Sequence, residues 1–330
     1  MSEPLKKKEE NSFLRKLGPG LITGAADDDP SGIATYSQAG AQFGLNMLWT
    51  TLITFPLMVG IQIVSARIGR VTGEGLAANI RRLFPRWVLL VVVSLLVIAN
   101  TINIAADIAA MGEALQLVVG GGEHGHAVVF GVLSLLLQVF IPYQRYVRVL
   151  KWLTLSLLAY VAVAFSVHID WPQAIRQSLA PTLSFNPDFV AVVVAVFGTT
   201  ISPYLFFWQA SQEVEELRAG NGSSSLASTP EDAWVHMRRI KVDTYVGMGF
   251  SNLIAFFIIL SAALTLHVAG ITQIQTSAQA AQALRPIAGD FSFLLFSLGI
   301  IGTGMLAVPV LAGATAYAVA DSFGWRQGLD

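Results

Sequence analysis

The chain has no cysteine in its 330 residues. That excludes disulfides, thiolate metal ligands and cysteine nucleophiles. Charge is scarce as well: only 12% of residues are Asp, Glu, Lys or Arg, about half of the ~25% usual in a soluble domain. No GxxxxGK[ST] run occurs, so a nucleotide-driven pump has no motif to rest on. No basic patch interleaved with aromatic residues is present, and the net charge is −1, so nucleic acid is not an expected partner. What the chain has in abundance is apolar sequence: 54% hydrophobic residues and a mean hydropathy of +0.62. These values describe an all-α polytopic membrane protein, with the lipid bilayer as its solvent.

Eight spans are expected, at roughly 18–43, 46–66, 87–119, 127–142, 149–168, 188–217, 242–268 and 291–320. The connectors hold turn-forming clusters such as Gly120-Gly-Gly-Glu-His-Gly125 and Asn221-Gly-Ser-Ser-Ser225. The polar, basic start with Lys6-Lys7-Lys8 is followed by an apolar run too long and too interrupted for a signal peptide. Alternate connectors carry eighteen of the twenty Lys and Arg residues; only Arg176 and Arg285 fall on the other side. The positive-inside rule then places the N-terminus in the cytoplasm and the chain in the plasma membrane.

The informative stretch is Gly24-Ala-Ala-Asp27-Asp28-Asp29-Pro30-Ser-Gly32, set inside the apolar run from Leu17 to Phe43. A run of that length suits a bilayer crossing, yet Pro30 removes a helical hydrogen bond and the glycines weaken the flanking turns. Broken backbone at membrane depth is tolerated only where it is buried in protein or lines a cavity, and each carboxylate there costs roughly 2.5–3.5 kcal/mol. The sixth span repeats the anomaly in Phe197-Gly198-Thr199-Thr200-Ile201-Ser202-Pro203-Tyr204. Spans one and six are an odd number apart and so cross in opposite directions. Two interrupted helices so related point to an inverted repeat with a binding site between its halves.

The residues around these breaks resemble a known family. Gly18-Pro-Gly20 followed by Asp29-Pro30 is similar to the GPG and DPGN segments of Nramp-type divalent metal transporters. Gly198 to Pro203 resembles that family's GATVMPHN, and Ala106-Asp107-Ile-Ala109 its ATDLAE. The resemblance implies a LeuT-type inverted-repeat fold with discontinuous helices one and six. It also implies transport of a divalent ion by alternating access, with no enzymatic activity and no cofactor. The departures fall at the site: Gly32 stands for the family asparagine, Ser202 for the methionine, Tyr204 and Gln209 for two histidines, and Ala110 for the second acid of the third span. These changes are closer to the Nramp-related magnesium and manganese branch. With the histidines and that acid missing, the usual proton route is incomplete, which argues against proton coupling.

Near the two breaks the available ligands are oxygens only, which suits Mg²⁺ and Mn²⁺, with Fe²⁺ a third candidate. Asp29 is the first metal ligand by its match to the family motif, followed by Asp28, Thr199, Ser202 and the space at Gly32. Asp27 and Asp28 are read as lining the mouth of the site or meeting the ion through water, since successive helix residues point about 100° apart. Asp107 is a candidate proton or second-site residue, or else a structural polar group. Pro30 and Pro203 are the backbone hinges. Glu213, Glu215 and Glu216 are expected to form a solvated helix end. His124, His126, His168, His236 and His267 fall at loops or span ends with no metal-ligand spacing.

The expected organisation is a cytoplasmic segment 1–17, a first five-helix repeat 18–168, an extracellular connector 169–187, and an incomplete second repeat 188–330 holding helices six to eight. The ten-helix core of the resembled fold would extend past Asp330, so a C-terminally truncated chain is expected; the oligomeric state is left open. The alternative reading is a cation-coupled symporter of an amino acid or another small organic solute on the same fold. Three aspartates beside the break disfavour a substrate carboxylate in that place. An intramembrane aspartyl protease pairing Asp29 with Asp107 would leave the paired breaks unexplained.

Overall fold

The computed structural model describes residues 23–24, 26–141, 158–166, 169–184, 186–219 and 233–325. Gly18-Pro-Gly20, the N-terminal lysines, Arg145, Arg148, Lys151, most of the fifth span, His168, Arg326 and the Asn221 loop lie outside the described residues. The described chain is helical, in eleven α-helices, with a 3₁₀ turn at Gly44–Met47 and a π-helical turn at Ala263–His267. In chain order they are α1 Pro30–Phe43, α2 Trp49–Thr72, α3 Leu76–Leu83, α4 Arg86–Val119, α5 Glu123–Phe140, α6 Leu158–Ser166, α7 Trp171–Leu179, α8 Pro187–Thr200, α9 Pro203–Ala219, α10 Ala233–Ala262 and α11 Ser277–Phe323. Six stretches among the described residues are long and apolar enough to cross a membrane.

Both expected breaks are present. Residues 23–24 and 26–27 are helical, Asp28 and Asp29 leave the helix, and α1 restarts at Pro30. Proline fits this first turn because its fixed φ suits a helix start and its missing N–H has no partner to lose there. Asp29 is extended (φ −69°, ψ 163°) and caps α1, its side chain accepting from the Gly32 amide. In the sixth span, α8 ends at Ile201 (φ −106°, ψ 58°), Ser202 bridges, and α9 restarts at Pro203.

Three features go beyond the apolar runs. The second span extends to Thr72 and carries Arg70 into its buried face. The short helices α3 and α7, capped by Gly75 and by Asp170, occupy segments that read as connectors. The helix of the seventh span begins at Ala233, ahead of its expected start, and buries Ile240, Asp243 and Thr244. In α11 the helix is interrupted at Gly289 (φ 81°, ψ 169°), a conformation only glycine adopts without strain. The apolar span proper runs from Gly289 to Phe323.

Buried side chains concentrate on α1, α9, α10 and α11, whereas α4 and α5 expose Leu90, Leu95, Ile98, Ile102, Val128 and Leu135 outward, as a lipid-facing layer does. Helix α1 sits among α10, α8, α11 and α4, α2 packs on α9 and α10, and α4 packs along α11. Two contacts of the first span with α10 are backbone to backbone. A Cβ on Gly24 would collide with the Gly247 carbonyl, and one on Gly40 with the Ile259 carbonyl. Small residues at such crossings let helices in a membrane approach closely.

Candidate functional site

The first break is held open by its own side chains. Asp29 Oδ1 accepts hydrogen bonds from the Gly32 amide at 2.6 Å and from Ser31 Oγ at 2.7 Å. Tyr204, at the start of α9, donates its hydroxyl to the Ala26 carbonyl at 2.9 Å and lies 3.5 Å from Asp29 Oδ2. The second break thereby reaches across and occupies a carbonyl that the interrupted helix has released. On the other flank, Tyr36 of α1 and Thr200 of α8 share a hydrogen bond of 2.9 Å. The two breaks face one another, joined by two tyrosine hydroxyls.

Between them lies Gly32. A Cβ added there would stand 3.1 Å from Asp29 Oδ1, 3.2 Å from Thr199 Oγ1 and 3.4 Å from the Asp27 carbonyl oxygen. One gap of methyl size is therefore bounded by a carboxylate, a hydroxyl and a main-chain carbonyl. The sequence-predicted residues Asp29, Thr199 and Gly32 come together at this point. Ser202 sits in the second break and spends its hydroxyl proton on the Thr199 carbonyl at 2.5 Å. Its lone pairs stay available to accept.

Asp28 and Asp27 turn another way. Ser251 of α10 donates to Asp27 Oδ2 at 2.6 Å and approaches Asp28 Oδ1 at 3.3 Å. One oxygen of each carboxylate, Asp27 Oδ1 and Asp28 Oδ2, is buried without a hydrogen-bond partner. Asp107, from the middle of α4, points at the start of α1, where its Oδ1 accepts from the Ser31 amide at 3.3 Å; its Oδ2 is buried and unpartnered. All four aspartates are 2% exposed or less, and no salt bridge reaches any of them among the described residues. Nor do any three His, Asp or Glu side chains among the described residues converge as a metal cage. A cation here would have to draw on hydroxyls, carbonyls and water besides its carboxylate.

A cavity of about 380 Å³ opens on one side of the break. Its floor is Pro30 and Ser31, and its walls include Thr35 and Gln38 of α1, Ala106, Ala109, Ala110 and Glu113 of α4, and the segment from Ile274 to Ser277. Gln38 ties that segment to α1, accepting from the Ile274 amide at 2.5 Å. Sequence reasoning missed Glu113. Its signal was the spacing Ala106, Ala109, Ala110, Glu113, one stripe of a helix.

On the opposite side the molecule is shut by ions. Glu213 of α9 is fully buried, which overturns the reading of Glu213 to Glu216 as a solvated helix end. Arg239 of α10 donates to Glu213 at 2.6 Å and also pairs with Glu216. Arg70 of α2 lies 4.0 Å from Glu213 and 3.9 Å from Glu216, and contacts His236 at 2.9 Å. Glu215 is half-buried and pairs with the exposed Arg218 one turn on. Of the other histidines, His267 meets the Ala41 carbonyl at 2.8 Å, and His124 and His126 stand at the start of α5.

Helices crossing in opposite directions, each interrupted at mid-span and facing the other, define a polytopic membrane protein of the inverted-repeat transporter architecture. The sequence profile described as "Natural resistance-associated macrophage protein-like" (Nramp) matches residues 20–330, so the chain belongs to the Nramp family. The divalent metal cation transporter MntH of Yersinia enterocolitica is 29% identical over 313 residues, covering 91% of this chain and 71% of its own length. That of Erwinia tasmaniensis is 27% identical over 307 residues, covering 89% of this chain and 69% of its own. Among solved structures, the manganese transporter of Eremococcus coleocola in complex with an aromatic bis-isothiourea substituted compound superposes with a TM-score of 0.71 at 16% identity. That alignment covers 98% of this chain and 69% of the transporter, and the fold is the LeuT type.

Proposed function

We propose that this chain binds a divalent cation between its two broken helices and carries it across the membrane by alternating access, with Mg²⁺ and Mn²⁺ the favoured ions and Fe²⁺ a weaker one. The observation that supports this most is the convergence beside Gly32, where Asp29 Oδ1, Thr199 Oγ1 and the Asp27 carbonyl all close on the space that a side chain would take. Every donor there is a hard oxygen, the ligand type that Mg²⁺ and Mn²⁺ prefer. Gly32 and Ser202, being small, leave room for water that stays on the ion, which Mg²⁺ gives up reluctantly. Asp29 contributes the charge, Thr199 and Ser202 contribute oxygens, and Pro30 and Pro203 keep the backbone open. Asp28 and Asp27 add negative potential from the Ser251 side. Asp107 orients the first turn of α1 through Ser31.

The same reading assigns the Glu213 side to the cytoplasm, since the basic connectors gather there, and the cavity to the outside. The repeats 18–168 and 188 onward are the units that rock about the site. Transport follows the ion's own gradient without a proton, because Ala110, Tyr204 and Gln209 offer no group that titrates near neutral pH. The test is Mn²⁺ uptake into proteoliposomes holding the protein, with excess Mg²⁺ as competitor, and with internal pH recorded. Uptake that Mg²⁺ suppresses, with no pH change, is the expected result. Mg²⁺-insensitive uptake would remove the hard-ion assignment, and absence of uptake would remove the transport reading.

A further inference from the structure

The cavity outside the break has chemistry of its own. Its single charged lining residue among those described is Glu113, and no Lys, Arg or His lines it. Ser277 lines it too, and the Ser277 hydroxyl is fully buried without a hydrogen-bond partner. A buried hydroxyl left so is uncommon and costs free energy unless something accepts or donates to it. The volume of about 380 Å³ corresponds to about a dozen waters at ~30 Å³ each, whereas an octahedral ion with its inner waters needs about half of that. The cavity adjoins the break, since Ser31 lines it and the Ser31 hydroxyl bonds to Asp29 Oδ1 at 2.7 Å.

We propose that Glu113 and Ser277 form an outer waiting site that holds a divalent cation with its water shell intact before the ion sheds water and reaches Asp29. It rests on the reading of the chain as a divalent-cation transporter and goes beyond it by assigning a second site. The argument is one of size and of hydrogen bonding. A hydrated cation presents only O–H donors outward, and the Glu113 carboxylate and the Ser277 oxygen accept them. Direct coordination by one carboxylate in so wide a space would leave most of the ion's positions on water in any case. Glu113 also stands two turns of α4 along from Ala106 on the same stripe, so the acid that the family motif places at position 110 is displaced here toward the cavity mouth.

Hexaamminecobalt(III) is an exchange-inert cation the size of a hexahydrated metal ion, so it can occupy the outer site and cannot lose ligands to enter the gap. We expect it to inhibit Mn²⁺ uptake competitively in the wild-type protein without being transported. In Glu113→Gln the KM for Mn²⁺ should rise about ten-fold with kcat nearly unchanged, the effect of one carboxylate on a dication across a water layer. The hexaamminecobalt(III) inhibition constant should weaken by the same factor, and Ser277→Ala should shift both by about three-fold. Glu113→Asp, which keeps the charge, should stay near wild type and controls for folding. Unchanged KM and unchanged inhibition in Glu113→Gln would overturn the outer site, as would absence of inhibition in wild type. Should the wild type carry no Mn²⁺, the transport reading falls on its own. Calorimetric binding of hexaamminecobalt(III) to wild type, lost in Glu113→Gln, would still support the outer site, and its absence would end it.

Discussion

Two groups of buried carboxylates lie in this protein, and they are treated in opposite ways. At the Glu213 end, Glu213 and Glu216 meet Arg70 and Arg239 from two other helices. At mid-span, Asp27, Asp28, Asp29 and Asp107 have hydroxyls and amides for neighbours and no cationic side chain in salt-bridge range among the described residues. Burying an ionised carboxylate without a counter-charge costs several kcal/mol, and a protein ordinarily resolves that with a partner or a proton. The fold shows that it can supply arginine at depth, because Arg70 is buried on α2. The mid-span group has no such partner among the described residues, and on the function proposed above the missing charge is the cation's.

Substitutions can break this contrast, and four are ordered here by expected effect. Asp29→Ala should reduce Mn²⁺ uptake in proteoliposomes to that of protein-free vesicles, with loss of the α1 cap costing only about 1 kcal/mol in stability. A mutant that transports normally would shift the site away from the break. Glu213→Ala should do the reverse, depriving Arg239 of its buried partner and costing roughly 3 kcal/mol of stability, read as a drop in melting temperature. If melting is unaffected, the ion cluster is not a structural seal. Gly32→Ala places a methyl group between Asp29 Oδ1 and Thr199 Oγ1. It should raise the KM for Mn²⁺ and cost about 1–2 kcal/mol by overpacking. Glu215→Gln removes a pair with the exposed Arg218 two residues from Glu213 and should change stability by less than about 1 kcal/mol. A larger loss there would mean that α9 responds to any charge change, and the contrast between paired and unpaired groups would lose its basis.

Much of this was legible in the sequence because it depends on local chemistry. Pro30 and Pro203 each follow small polar residues at mid-span, so both breaks could be placed from sequence, whereas Pro56 sits inside the continuous helix α2. Asp29 was singled out as a ligand by its place before Pro30; that it also caps the restarting helix is seen only in the structure. Long-range pairing was not legible. Nothing in the run Glu213-Val-Glu215-Glu216 tells which carboxylate turns inward, since that depends on Arg70 and Arg239 arriving from other helices. Asp27 and Asp28 face Ser251 rather than the second break, a choice set by the crossing of the first span with α10. Helices α3 and α7 are too short and too polar for an apolar-run reading to find, because their stability comes from packing on neighbours and not from length. Glu113 was passed over because it follows a motif position by a turn, and only the wall opposite, at Ser277, gives that turn a meaning.

The glycine seats of the first span have a mechanical consequence. Gly24 rests on Gly247 before the break, and Gly40 rests on Ile259 after it. The two footings are twelve residues apart on the unbroken helix α10, a distance of about 18 Å. That helix therefore acts as a ruler laid alongside a joint. Each half of the jointed span meets that helix backbone to backbone at one glycine, and Ser251 bonds to Asp27 between the two footings. A bulky residue at either glycine would push one half of the span off α10 and leave the other half's contact in place.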